Sequence, residues 1–304
     1  MLQEVNIRVP ATTANMGAGF DTFGMAFAMY NTVVLKRITG NAIRLENLGA
    51  HTKTMEQVKD NLTVRSARKV FDAVGEPFAG LEFKMYNVIP VSRGLGSSSA
   101  AIIGGLMAAN RLLGDPLDKA QLLELAVELE GHSDNVAPAL YGGFVSSCQR
   151  GGKTVALKLT PPANLAAVVA IPDFYLSTSK ARKILAPEVK RADAVHNIQC
   201  AALMVGAMAT GDLQLFAAAF DDRLHQEQRY RLIKGAKRVL RAARSAGAIA
   251  AGLSGAGPTM IAFINTEDNR AEQIKKAMQR AWEFAGVSAK TMLLEQDNQG
   301  AQDC

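Results

Sequence analysis

The chain is poor in the residues that build redox and transition-metal centres. Its 304 residues include three cysteines, Cys148, Cys200 and Cys304. They are odd in number and far apart, which excludes a disulfide framework and the spacing of a zinc site. The four histidines, His51, His132, His196 and His225, are scattered, and no His-Glu-x-x-His occurs, so no transition metal is expected. Long apolar runs are absent too. Leu165–Ile171 and Ala201–Ala209 fall well short of the roughly 20 residues of a membrane helix. Met1–Pro10 carries Glu4 and Arg8 in an alternating pattern, unlike the apolar core of a secretion signal. The expectation is a reduced, soluble, cytoplasmic protein with no membrane partner.

The composition is that of a folded globular chain, 48% hydrophobic and 20% charged, and the length corresponds to about two domains. Net charge is +6. Basic residues concentrate in Arg223–Arg244, where Glu227 is the one glutamate. Two readings stand, a solvated helix face or an anion site at one end. No nucleic-acid partner is expected, because no recognition module accompanies the charge.

Periodicity outlines the elements. Val5, Ile7 and Val9 alternate with polar residues as in a strand, and Asn31–Ile38, Ile43–Leu48 and Leu81–Val88 read as strands. Leu62–Val74 has helical spacing and stops before Gly75. Ser97–Leu113 is a small-residue, nearly all-apolar helix, which predicts burial on several faces. Leu117–Glu130 is a further helix. Phe144–Gln149 and Thr154–Leu159 form a strand pair around Gly151-Gly152. Thr160-Pro-Pro162 is the best boundary, dividing residues 1–160 from 161–304. Beyond it, strands at Leu165–Ile171, Ala248–Leu253, Thr259–Ile264 and Ser288–Leu294 mix with five helices, one of which, at Ile198–Ala209, reads as core rather than interface. The polar tail after Glu295 reads as frayed. The mixture of elements indicates an α+β fold.

Three segments carry chemistry. Gly94-Leu-Gly-Ser-Ser-Ser99 lies between a predicted strand and a predicted helix. Glycines there let the backbone approach a ligand, and the free N–H groups and dipole of the following helix suit a phosphate. A serine hydroxyl there could ligate magnesium. A tight turn with a serine N-cap is the plain alternative. Neither the Walker sequence nor the dinucleotide fingerprint is present. The other two segments are Pro10-Ala-Thr-Thr-Ala-Asn15-Met-Gly-Ala-Gly-Phe20-Asp21 and Gly252-Leu-Ser-Gly-Ala-Gly-Pro258-Thr.

In this order the triplet resembles the small-molecule kinases named for galactokinase, homoserine kinase, mevalonate kinase and phosphomevalonate kinase. Glu130-Gly-His-Ser-Asp-Asn-Val-Ala-Pro-Ala139 and Ser177-Thr-Ser-Lys-Ala-Arg182 direct the resemblance to the homoserine branch. It extends from about Val5 to Leu294. It implies an N-terminal ATP-binding domain like ribosomal protein S5, a C-terminal ferredoxin-like plait, and an active site in the cleft between them.

The resemblance further implies a role for each matching residue. Pro90, Val91, Ser92, Arg93, Gly94, Leu95, Gly96, Ser97, Ser98, Ser99 and Ala100 would bind ATP, with Asn61 near the adenine. Ser98 or its rival Ser97, together with Glu130 rather than Glu128, would hold Mg2+. Asn15 and Asp21 would receive the ammonium of L-homoserine. Arg182, with Arg229 or Arg231, would receive its carboxylate. Asp134 and Asn135 would orient the reacting hydroxyl, Asp134 acting either as base or as orienting group. The implied activity is ATP-dependent phosphorylation of homoserine on the route to threonine, in a possible homodimer. Alternatives are a kinase for threonine or a mevalonate-type acid, and a non-catalytic ligand-binding relative.

Overall fold

The computed structural model describes residues 2–49 and 60–304, and His51 lies outside the described residues. The first half of the chain contains β1 (Glu4–Ala14), β2 (Phe23–Arg37), β3 (Ile43–Gly49), α1 (Leu62–Val74), β4 (Leu81–Asn87), α2 (Ser97–Leu112), α3 (Lys119–Glu130), α4 (Ser133–Tyr141), β5 (Phe144–Arg150) and β6 (Lys153–Leu159). The second half contains β7 (Leu165–Pro172), α5 (Thr178–Lys183), α6 (Arg191–Thr210), α7 (Leu213–Ala219), α8 (Gln226–Tyr230), α9 (Ala236–Ser245), β8 (Ala250–Leu253), β9 (Met260–Asn265), α10 (Ala271–Phe284), β10 (Ala289–Leu294) and β11 (Gln302–Asp303).

The first sheet runs β11-β1-β2-β4-β3, with β5 also on β2 and β6 on β5. β1 and β2 pair antiparallel from Glu4–Lys36 to Ala14–Gly24, and the register shifts between Pro10 and Ala11. Proline cannot donate to the ladder and is tolerated at such an irregularity. β1 therefore runs five residues beyond Val9, through the Ala-Thr-Thr-Ala segment. Thr12 and Thr13 are fully buried there, so the alternation that marks a one-sided strand is lost.

α2 and α4 pack on β1 and β2, and α1 and α3 pack against α2. The glycines of α2 explain its composition. A Cβ at Gly104 would stand 2.6 Å from Val33 Cγ2, and one at Gly105 2.3 Å from the Thr63 carbonyl oxygen. The helix lies close enough to β2 and α1 that small residues are required.

The chain changes sheets at Thr160-Pro161-Pro162. The second sheet has the order β10-β7-β9-β8, all neighbours antiparallel. Together with α9 and α10 this is the β-α-β-β-α-β plait. β7 is buried along its whole length. Leu165, Ala167, Val169 and Ile171 join the core shared with the first sheet, and Ala166, Val168 and Ala170 face α9 and α10. Two covered faces turn a period-2 strand into a continuous apolar run.

Three expectations need correction. The tail is not frayed: Gln302 and Asp303 pair with Arg8 and Ile7. Asp297 is buried and accepts from Gln299 N, Gly300 N and the Tyr30 hydroxyl. Burial and that carboxylate push the Tyr30 phenol up to about 12. The helix at Ile198–Ala209 is only half core. Met204, Ala207 and Met208 are buried, whereas Ile198 is 68% exposed. The basic run does not form one face. Arg229 is buried, Arg223 pairs with Asp193, Lys237 pairs with Glu227, and Arg244 donates to the Ala251 carbonyl. Among the described residues no helix is long and apolar enough to cross a membrane.

Candidate active site

A cleft of about 300 Å³ opens between the two sheets. Its floor is the start of α2. The N-cap residue Gly96 adopts φ +72° and offers no side-chain cap, so the first N–H groups of a 16-residue helix are left for a ligand. Neighbours hold the preceding loop on several sides. Leu95 O accepts from Thr12 N at 3.1 Å, Gly94 O from the Ser254 hydroxyl at 2.6 Å, and Arg93 O from Thr259 N at 3.3 Å. The Gly252–Pro258 segment thus lies directly under the loop. A Cβ at Gly94 would come within 2.2 Å of Ser254 O, and one at Gly96 within 2.0 Å of Thr12 Oγ1.

Val91, Ser92, Arg93, Gly94, Gly96, Ser97 and Ser98 line the cleft, whereas Pro90, Leu95, Ser99 and Ala100 do not. Leu95 and Ala100 are fully buried core residues. The Arg93 side chain turns away from the loop, donating from Nε to Pro172 O at 3.0 Å and stacking on Tyr175 at 3.9 Å.

The end of α3 supplies Glu130. Ser98 Oγ donates to its Oε2 at 2.7 Å and Ser99 Oγ to its Oε1 at 3.1 Å. Ser97 lines the cleft but makes no such contact. Glu128 points outward and pairs with Lys69. Asn61 lies at the cleft edge, where its Oδ1 caps α1 by accepting from Val64 N at 3.2 Å.

α4 presents Asp134 and Asn135. Asp134 is 2% exposed, and its Oδ1 lies 2.6 Å from His132 Nδ1. Burial opposes protonation of His132, but the hydrogen bond and charge of Asp134, with Glu130, outweigh it and raise the imidazole pKa. Asn135 Oδ1 accepts from the Thr12 hydroxyl at 2.8 Å, and the residue lines the cleft.

The loop between β1 and β2 holds Asn15, Met16 and Asp21 at φ +69°, +43° and +54°, values that cost energy in a non-glycine residue. Asn15 steadies this loop. Its Nδ2 donates to Gly255 O at 3.0 Å, and its Oδ1 accepts from Asp21 N at 3.1 Å. Asp21 meets Arg182 of α5 in a two-pronged ion pair, 2.8 Å from Nη1 to Oδ2 and 2.7 Å from Nη2 to Oδ1.

Arg229 lies beside them, 1% exposed. It donates to Ala181 O, Gly255 O and His225 Nδ1, and among the described residues it pairs with no carboxylate. Burial and the nearby Arg182 charge lower its pKa to about 10. His225 is buried and accepts at Nδ1, with Nε2 donating to Gly17 O at 3.1 Å. Burial holds its pKa below the ordinary value. Arg231 is exposed at the end of α8.

The structure therefore gathers Asn15, Asp21, Asn61, Glu130, Asp134, Asn135, Arg182, Arg229 and the α2 loop around one cleft. His132, Thr178, Met85 and Asn87 also line it and had no role in the sequence reading. His132 was signalled by its place two residues before Asp134. Met85 and Asn87 are alternate residues of an ordinary strand and carried no signal.

Comparison with known proteins agrees with this geometry. The chain matches the GHMP kinases N terminal domain over residues 61–143 and the GHMP kinases C terminal domain over 204–283. It is 44% identical over 295 residues to a homoserine kinase of Moorella thermoacetica, covering 97% of this chain and 98% of that protein. It is 42% identical to a homoserine kinase of Picosynechococcus, covering 98% and 99%. The crystal structure of a homoserine kinase from Cytophaga hutchinsonii superposes with a TM-score of 0.92 at 28% identity, covering 100% and 98% of the two chains. A Leishmania major mevalonate kinase in complex with R-mevalonate shares the fold, with a TM-score of 0.72 at 16% identity over 95% of each chain.

Proposed function

The chain belongs to the GHMP kinases and, among them, to the homoserine kinases, and we infer that it transfers the γ-phosphoryl group of ATP to the side-chain hydroxyl of L-homoserine in this cleft. One observation carries the substrate reading: among the described residues Arg229 is a buried cation in no direct ion pair, set beside the Asp21–Arg182 pair. A buried charge without a partner is costly. The carboxylate of an amino acid would neutralise it, while Asp21 takes the ammonium.

Phosphoryl transfer asks a protein mainly for positioning and charge neutralisation. The uncapped N–H groups of α2 and the amides of the Gly94–Ser99 loop would receive the phosphates. Ser98 and Glu130 offer two hard oxygen donors in contact with each other, which fits Mg2+, a cation that keeps water and phosphate oxygens in most of its coordination sites. When bound, Mg2+ would neutralise phosphate charge during the transfer. Ser99, hydrogen-bonded to the same carboxylate, fixes its orientation.

Asp134 orients the homoserine hydroxyl and takes its proton late in the transfer. His132 holds the Asp134 carboxylate, and Asn135 donates from its amide to the reacting oxygens. Asn61 borders the adenine side. A cytoplasmic location and a homodimer belong to the same reading, and sedimentation tests the dimer.

The activity test is a panel of alcohols with Mg-ATP. Rapid ATP consumption is expected with L-homoserine, and far slower consumption with threonine or mevalonate. Equal rates with all three would overturn the substrate assignment.

A further inference from the structure

Asp21 and Arg182 come from opposite sides of the cleft, the β1–β2 loop and α5, and each reaches the other with both heteroatoms. Their side chains are 35% and 36% exposed, so water and ligands can reach the pair. Arg182 and Arg229 both lie against the Phe20 ring, at 5.8 and 5.2 Å. The three charges thus sum to one excess cation, held by Arg229.

We propose that the Asp21–Arg182 ion pair is a specificity latch that a zwitterion opens by exchange and a singly charged alcohol does not. This rests on the substrate reading above. An incoming amino acid offers one ammonium and one carboxylate. The ammonium replaces the Arg182 guanidinium at Asp21, and the carboxylate replaces Asp21 at Arg182 while also reaching Arg229. One ion pair is broken, two are formed, and Arg229 gains its missing anion. A ligand with only a carboxylate must either leave Arg182 with Asp21 and use Arg229 alone, or strip Asp21 of its partner. A ligand with only an ammonium strips Arg182 and leaves two guanidinium groups facing each other. The latch thereby selects amino-acid alcohols over hydroxy acids and amino alcohols of the same length.

The test is calorimetric titration of the full chain with L-homoserine, 4-hydroxybutyrate, which lacks the ammonium, and 3-aminopropan-1-ol, which lacks the carboxylate. Asp21→Asn, Arg182→Met and Asp134→Asn are compared with the parent. Asparagine tolerates the positive φ of position 21, so the loop is kept. Asp21→Asn should weaken homoserine by about tenfold or more yet strengthen 4-hydroxybutyrate several-fold, because Arg182 is released. Arg182→Met should likewise weaken homoserine and strengthen 3-aminopropan-1-ol. Asp134→Asn removes the same charge from the cleft but leaves the Asp21–Arg182 hydrogen bonds in place, and should raise 4-hydroxybutyrate affinity much less than Asp21→Asn does. If homoserine weakens in Asp21→Asn and 4-hydroxybutyrate does not gain, or gains equally in Asp134→Asn, the latch is overturned and the substrate reading stands. If homoserine binding is untouched by both Asp21→Asn and Arg182→Met, the substrate reading itself is overturned.

Discussion

The Ser98 hydroxyl donates to the Glu130 carboxylate across 2.7 Å, joining the first turn of α2 to the last turn of α3. Glu130 forms no direct ion pair among the described residues, so its carboxylate and the Ser98 oxygen are available to a cation. Ser98→Ala and Glu130→Ala should each lower turnover roughly 10–100-fold and shift the magnesium dependence to higher concentration. Glu128→Ala, which loses only the surface contact with Lys69, should behave as the parent. Initial rates across a magnesium titration check all three.

Arg229 should show opposite signs for function and stability. Arg229→Met removes the proposed carboxylate partner, and KM for homoserine should rise about 10–100-fold. The same change removes a buried cation that makes no direct ion pair among the described residues, so the thermal midpoint should hold or rise. Arg229→Lys should not restore KM, because one ammonium cannot reproduce the contacts to Ala181, Gly255 and His225. Steady-state kinetics beside thermal unfolding separates the two effects.

His225 makes stability depend on acidity. It is faced by Asp222, Arg229 and Asp21, and burial keeps its folded pKa below the ordinary value. As pH falls below about 6.5 the unfolded chain takes up this proton before the folded one, so this contribution to stability declines. The slope is at most about 1.4 kcal/mol per pH unit for one such group. His225→Asn keeps an acceptor for Arg229 and should remove that slope. Denaturant titrations above and below neutrality measure it.

Gly24 supports Asp134 from beneath. A Cβ there would lie 1.7 Å from Asp134 O and 2.7 Å from Pro138 Cγ, so Gly24→Ala must displace α4. The expected cost is about 1–3 kcal/mol of stability and up to about 10²-fold in kcat. KM for ATP should change little, because the α2 loop is untouched. A kcat loss accompanied by an equal loss of ATP affinity would contradict this view of the site.

Much of the molecule could be read from its residues where one physical requirement dominated. The α2 loop announced itself because close backbone approach demands Gly94 and Gly96 and the helix behind them is nearly all apolar. The plait was legible as elements, since β7 and β9 are apolar runs bounded by turns. Features that depend on distant partners were not legible. The burial of Thr12 and Thr13 needs Ser254 and Asn135 on other elements. The ordered tail needs Tyr30 to meet Asp297. The short helices α4 and α8 carry too few residues to show a period, and α4 contains Pro138. Choosing Arg229 over Arg231 required the turn of α8, which the basic composition of the segment concealed.

The fully covered strand β7 also has a history in time. Leu165–Pro172 leaves the ribosome before either of its neighbours, which lie at 260–265 and 289–294. Its eight apolar residues then wait for partners that are synthesised much later, as pairings distant in sequence are slow to form. An uncharged apolar run left open in this way is prone to self-association. Biosynthetic yield should therefore respond to a holding chaperone far more than the finished enzyme's stability would suggest.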